Sequence, residues 1–215
     1  VKLIEQSPCA MPILDPEFSL QVQESLLASG IEILTDTKVT SIGNQHHGMT
    51  IQSMRSTGNE PTETQSRDLH AELIILATGV RPNTALALDC GLEIGHTGGL
   101  VVNRHLQTSH DSDIYVAGDL AEVPFRSDRL AVRMPLAGPA NRQGRIAGAN
   151  AARSLLDPPG QPDTYPGITG TWVLRVLDHT VAMTGLSEKS ALAAAYPAKA
   201  RAYGLESNAA GPANG

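Results

Sequence analysis

A strand, a helix and a second strand follow one another at the start of this sequence with short connections, and that order leaves few folds open. Val1-Lys2-Leu3-Ile4-Glu5 reads as an apolar strand. Leu14-Asp15-Pro16-Glu17 then opens a helix: Asp15 suits the capping position, Pro16 the first turn and Glu17 the positive end of the helix dipole. The helix is expected over residues 16–29, with Leu20, Glu24 and Leu27 on one face, Val22 and Leu26 beside them, and Gly30 as a left-handed cap. Residues 31–34 read as the next strand. Strands joined by one helical crossover pair in parallel, so the expected class is α/β. With only 3% aromatic residues against 20 Gly and 14 Pro, the core must be built from Ile, Leu, Val and Ala.

Further along, residues 39–42 and 49–54 read as short strands around the turn Gly43-Asn44, and a polar stretch over 57–68 separates them from the apolar run 73–77, expected as a buried strand. A second strand pair is expected at 100–102 and 114–117, followed by a loop containing Pro and Arg over 123–135. A helix rich in Ala and Gly is expected over 139–156. Asp157-Pro158-Pro159-Gly160-Gln161-Pro162 has the chemistry of a linker. Beyond it, 172–176 and 180–183 read as paired strands, Ser187 caps a helix reaching Tyr196, and Pro197 ends it. The tail over 198–215 has no apolar period and is expected to be disordered.

Composition excludes several classes of function. A net charge of −6 with no Lys/Arg block offers nothing to a phosphate backbone or an anionic lipid, so neither nucleic acid nor membrane is an expected partner. The apolar runs are far shorter than the ~20 residues that span a bilayer, and Val1 opens no signal peptide, so the expected location is cytoplasmic. Val1 enters a strand with no leading loop, which gives the expectation of a truncated start. Cys9 and Cys90 make neither a C-x-x-C pair nor a metal-ligand spacing; both are expected to be free thiols, and no metal site is expected.

Three constellations carry chemistry. Glu5 ends a strand that opens a βαβ unit, where an acidic side chain accepts hydrogen bonds from adenosine ribose hydroxyls if a glycine-rich turn precedes it. A carboxylate there repels a 2′-phosphate and favours NADH over NADPH; the plain alternative is a solvated strand-end Glu. Leu76-Ala77-Thr78-Gly79-Val80-Arg81-Pro82-Asn83 ends an apolar run in a small-residue turn, which lets a backbone lie against a flat ring or simply turns the chain. Asp113-Ile114-Tyr115-Val116-Ala117-Gly118-Asp119 delivers a carboxylate through a glycine at a strand's C-terminal end, the side on which open α/β sheets bind ligands.

Taken in order with Pro135-Leu136-Ala137-Gly138-Pro139-Ala140-Asn141-Arg142-Gln143-Gly144-Arg145, these motifs resemble the pyridine nucleotide-disulfide oxidoreductases, most of all the branch of coenzyme A-disulfide reductases, NADH oxidases and NADH peroxidases. The segment 171–189, with Thr184-Gly185-Leu186-Ser187-Glu188-Lys189, resembles the start of that branch's interface domain. The resemblance covers residues 1 to about 196. It implies a partial Rossmann-like NAD(P)H-binding domain over 1–83, a returning FAD-binding segment over 84–157 and the start of an α+β interface (dimerisation) domain over 163–197.

By the same resemblance the cofactors are FAD and NADH. Glu5 would meet the NADH ribose and Gly79 the turn beside the nicotinamide. Asp119 would bind the ribityl and phosphate part of FAD, with Gly118 allowing close approach. Leu136, Ala137 and Gly138 would pass near the flavin, and the helix starting at Pro139 would point its positive end at the pyrimidine side, where reduced flavin is anionic. Asn141 and Arg142 lie in that first turn, where they either touch the cofactor or simply cap and solvate the helix; for Arg142 the second is expected. The family's redox cysteine and its N-terminal G-x-G-x-x-G are not in this sequence and are expected upstream; Cys9 and Cys90 match neither. The expected activity of the parent is electron transfer from NAD(P)H through FAD to a small-molecule disulfide, persulfide, peroxide or oxygen, in a homodimer, with the present chain inactive alone. Two alternatives stand: a non-catalytic nucleotide- or protein-binding module, and a family member without redox cysteine that reduces a ferredoxin.

Overall fold

The computed structural model describes residues 1–45, 48–56, 64–125 and 130–193. Strand β1 (Lys2–Ile4), helix α1 (Pro16–Ala28) and strand β2 (Glu32–Leu34) form the expected βαβ unit, with β1 and β2 parallel in the register Leu3 opposite Ile33. Lys2 stands opposite Glu32 and reaches its carboxylate at 2.6 Å. The hydrogen bond from Lys2, with the charges of Lys2 and Arg67, holds the Glu32 carboxyl below the usual carboxylate range. A lowered folded-state value means that the contribution is present above the ordinary carboxylate pKa and is lost as pH falls through the lowered one.

Helix α1 ends as its sequence dictates. Gly30 takes φ +79°, its N–H reaches Leu27 O at 2.9 Å, and Ile31 N–H reaches Leu26 O at 3.1 Å, the paired bonds of a Schellman cap. Gly30→Ala is expected to cost about 1 kcal/mol by forcing a Cβ into left-handed backbone, a loss that urea unfolding would register. Two expectations for α1 fail. Its buried stripe is Ser19, Val22 and Leu26, while Leu20 and Leu27 are exposed. Asp15 makes no side-chain bond to its own helix. Its carboxylate instead accepts N–H groups from Glu188 (2.9 Å) and Lys189 (3.2 Å), at the start of helix α4 (Glu188–Ala193). Asp15 therefore spans 173 residues of chain. Ser187, as expected, caps α4, accepting Ser190 N–H at 3.2 Å; the expected extension of α4 to Tyr196, Pro197 and the tail lies outside the described residues.

Strands β3 (Thr37–Gln45), β4 (Gly48–Ser56) and β5 (Thr64–Ala71) form an antiparallel meander. Gly43 and Asn44, expected to turn, are instead paired within the strands with Thr50 and Met49, and the pairing runs on to Gln45 opposite Gly48. Residues 64–68 of the polar stretch form the first part of β5, because one face of an exposed strand needs no apolar residue. The apolar run 73–77 is not a buried strand: Leu73, Ile75 and Leu76 are 76%, 81% and 70% exposed, and no strand among the described residues pairs with them. An all-apolar strand is stable only with neighbours on its edges and faces, and among the described residues no strand pairs with this run, of which only Ile74 is half-buried.

After the short helix α2 (Ala85–Asp89), strand β6 (Leu100–Val101) pairs in parallel with β7 (Ala121–Pro124), which pairs antiparallel with β8 (Ala131–Val132). The expected partner of β6, residues 114–117, lies instead along 106–108, with a bridge from Tyr115 to Gln107 and backbone bonds from Thr108 N–H to Ile114 O and from Val116 N–H to Leu106 O, both at 2.9 Å. Leu100, Leu106, Val116, Ala121 and Val123 form the core here, and helix α3 (Ala137–Ser154) closes it through Ala147. Tyr165 and Ile168, beyond the proline-rich segment, pack into the same core. The buried Glu122 of β7 accepts Thr97 N–H at 2.8 Å and the Thr97 hydroxyl, and faces His96 Nδ1 at 3.0 Å, all from the tight turn Gly95–Gly99.

A hairpin of β9 (Trp172–Val176) and β10 (His179–Met183) has the expected antiparallel pairing. Trp172, Val176 and Val181 pack on the cluster of Leu14, Val22 and Leu26, and Ser25 Oγ meets His179 Nε2 at 2.7 Å. Removing the Asp15 anchor should loosen this assembly. Asp15→Ala is expected to cost about 1 kcal/mol, the usual loss for a helix cap, with faster hydrogen exchange at Glu188 and Lys189.

Candidate functional site

Extended chain through Ala117 (φ −144°, ψ 161°) meets Gly118 at φ +77° and turns into a single 3₁₀ turn, Gly118–Leu120, before β7 begins. Only glycine holds that backbone without strain, and a Cβ there would lie 3.7 Å from the Cβ of Ala140. The turn thus rests on the first part of α3 and leaves Asp119 exposed above it.

Helix α3 begins two residues earlier than its sequence suggested, at Ala137 rather than Pro139, because Leu136 is extended (φ −133°, ψ 140°) and its carbonyl already accepts Ala140 N–H at 3.1 Å. Pro139, third in the helix, has no N–H to lose. The first-turn N–H groups of Ala137 and Gly138 have no acceptor within the helix. Both residues are exposed, no acidic side chain sits in the first turn, and nothing lies within 4 Å of a Cβ built on Gly138. Asn141 and Arg142 are exposed in the same region. A free carboxylate thus stands beside an open helix N-terminus, a pair that can take a ligand with hydroxyls at one end and negative charge at the other.

Of the candidates read from sequence, Gly118, Asp119, Leu136, Ala137, Gly138 and Pro139 are brought together by this packing. Glu5 and Gly79 are elsewhere. Glu5 follows β1 at the C-terminal end of the parallel pair, its backbone bonded to Leu34 O (2.9 Å) and Thr37 N–H (3.0 Å), and its Oε1 accepts Ser7 N–H at 2.8 Å. Gly79 takes φ +82° in the unpaired run before Asn83. Among the described residues no hydrogen bond or strand pairing joins Gly79 to the other candidates. Cys9 and Cys90 are free thiols, no group of three or more His, Cys, Asp and Glu is placed to hold a metal ion among the described residues, and no described helix is long and apolar enough to cross a membrane.

Gln143 and its partner Tyr165 were not singled out from sequence. Gln143 is buried in α3, where its Oε1 accepts Gly118 N–H at 2.7 Å and its Nε2 donates to the Tyr165 hydroxyl at 3.4 Å. The available signal was the spacing Gln143, Ala147, Asn150, an inward stripe with polar ends on a small-residue helix. An open crevice of about 370 Å³ lies apart from all these residues, between the starts of α1 and α4, lined by Asp15, Glu17, Glu188 and Lys189 among others.

Residues 1–153 match the family model described as pyridine nucleotide-disulphide oxidoreductase. The chain is 38% identical over 157 residues to an NAD(P)H sulfur oxidoreductase (CoA-dependent) of Pyrococcus abyssi, covering 71% of this chain and 33% of that protein. It is 28% identical over 178 residues to an NADH oxidase of Enterococcus faecalis, covering 83% and 36%. Among solved structures, an NAD-dependent persulfide reductase from A. fulgidus superposes with a TM-score of 0.73 at 29% identity, covering 91% of this chain and 33% of that one. The chain spans about a third of the length of the curated relatives it matches. With its mixed helix-and-strand fold and its matched motifs, the chain belongs to the pyridine nucleotide-disulphide oxidoreductase family.

Proposed function

We propose that this chain is part of a flavoprotein oxidoreductase that passes electrons from NADH through FAD to a small disulfide, persulfide, peroxide or oxygen. The observation that carries the reading is the Gly118–Asp119 turn seated on the open N-terminus of α3. The residues present fit an FAD. The positive-φ glycine admits a close approach, Gly138 leaves the first helical turn uncovered, and the exposed Asp119 is an acceptor for ribityl hydroxyls. When bound, the flavin supplies the hydride and electron chemistry.

The chain's own residues bind and orient. Asp119 holds hydroxyls, and the Ala137 and Gly138 N–H groups with the dipole of α3 stabilise negative charge at the ring. Glu5, steadied by Ser7 N–H, accepts ribose hydroxyls of NADH, and Gly79 turns the backbone beside the nicotinamide. On this reading residues 1–83 belong to the nucleotide domain, 84–157 to the flavin segment and 163–197 to the start of an interface domain that makes a homodimer. The exposed run 73–77 supports it, as an apolar strand whose sheet neighbours come from the rest of the flavoprotein. The redox cysteine, where one is used, is neither Cys9 nor Cys90.

The test is the visible spectrum of this chain and of the complete protein with FAD, before and after NADH. A yellow complete protein that bleaches with NADH supports the proposal; a colourless one removes it in favour of a non-catalytic binding module. In the complete enzyme, Glu5→Ser is expected to raise the NADPH-to-NADH ratio of kcat/KM by about tenfold or more, because a like charge facing a 2′-phosphate costs several kcal/mol. An unchanged ratio would separate Glu5 from the ribose.

A further inference from the structure

Helix α3 is rich in Ala and Gly, yet two of its three buried residues are polar, and it buries the Gln143 amide to 2% exposure. A buried amide is costly unless its groups are bonded. Both ends of Gln143 are: Oε1 to Gly118 N–H at 2.7 Å, and Nε2 to the hydroxyl of Tyr165, itself 3% exposed. The other polar residue of the stripe, Asn150, does different work. It donates to His105 O and Asp163 O at 3.0 and 2.9 Å and accepts Asp163 N–H at 2.6 Å, clipping two loops to the far end of the helix.

The bond to Gly118 matters because sterics alone leave this peptide free. A glycine explores positive and negative φ about equally, and the nearest atom to a built Cβ is 3.7 Å away. The hydrogen bond selects one peptide orientation, and that orientation aims the next residue, Asp119. We infer that Gln143, braced by Tyr165, is a positioning residue that fixes the Gly118–Asp119 turn against the start of α3 for FAD. The inference rests on the flavin reading above. It also gives Tyr165 a role: a residue beyond the proline-rich segment steadies the flavin turn at one remove.

The experiment is FAD titration of the deflavinated complete protein, followed by flavin fluorescence quenching, with the melting temperature of each apo variant as a second measurement. Gln143→Met removes the acceptor and is expected to weaken FAD by about tenfold or more, the usual consequence of leaving a donor unpaired. Gln143→Glu keeps an oxygen for Gly118 N–H and for the Tyr165 hydroxyl, and should stay within about threefold of wild type. Asn150→Ala lowers the apo melting temperature through lost loop bonds but leaves the FAD Kd unchanged. If Gln143→Met and Asn150→Ala weaken FAD equally, Gln143 is a structural residue only and the inference falls while the flavin reading stands. If wild type binds no FAD, both fall.

Discussion

Glu122→Ala is expected to lower the unfolding free energy by about 3 kcal/mol, although Glu122 lies at no candidate site. Its carboxylate, 3% exposed, accepts both the N–H and the hydroxyl of Thr97 and faces His96. Bonds to a charged group contribute about 1.5–3 kcal/mol each. The turn that brings Thr97 over the carboxylate depends on Gly95, where a built Cβ would overlap the Glu122 carboxyl group itself. Gly95→Ala alone should therefore cost about 2–3 kcal/mol, because the carboxylate must retreat and give up Thr97. The double variant tests the account. With the carboxylate gone the methyl meets no obstacle, so the pair should cost little more than Glu122→Ala by itself, a strong coupling between neighbours. Additive losses in urea unfolding would show that the turn and the carboxylate are independent.

Asp119→Asn should leave folding within about 0.5 kcal/mol of wild type, since the side chain is exposed. Its effect falls on the cofactor. An amide keeps the size of the carboxylate but loses its charge and half of its acceptor capacity. With hydrogen bonds to charged groups contributing about 1.5–3 kcal/mol, FAD affinity of the complete protein should fall by roughly 30-fold. Equilibrium titration of the apoprotein measures it directly. An unchanged affinity would move the flavin away from this turn and remove the main support for the proposed function.

Local chemistry was legible in the sequence; partnership across the chain was not. Pro16 and Gly30 marked the ends of α1 because the backbone preferences of Pro and Gly act within a residue or two. The destination of the Asp15 carboxylate lay 173 residues on, and nothing near Asp15 announced it. The run 73–77 read as buried because periodicity measures apolarity and says nothing of whether neighbouring strands are at hand. The polar start of β5 read as loop for the converse reason. At the site, the motif around Gly118 and Asp119 was visible as residue types. That six of eight candidates converge while Glu5 and Gly79 stand apart, and that Gln143 supports the turn, required the packing of α3.

The Asp15 contact also bears on the order in which the molecule is made. A bond between residues 15 and 188 closes a loop of 173 residues, and the entropy of closing a loop grows with its length until intervening structure shortens it. Such contacts form late and slow the folding of topologies that rely on them. During synthesis α1 exists long before α4 leaves the ribosome, with Leu14, Val22 and Leu26 lacking the cover that Trp172, Val176 and Val181 later provide. The amides of Glu188 and Lys189 should therefore be among the last to gain protection in pulse-labelled refolding, reporting that the rest has already assembled.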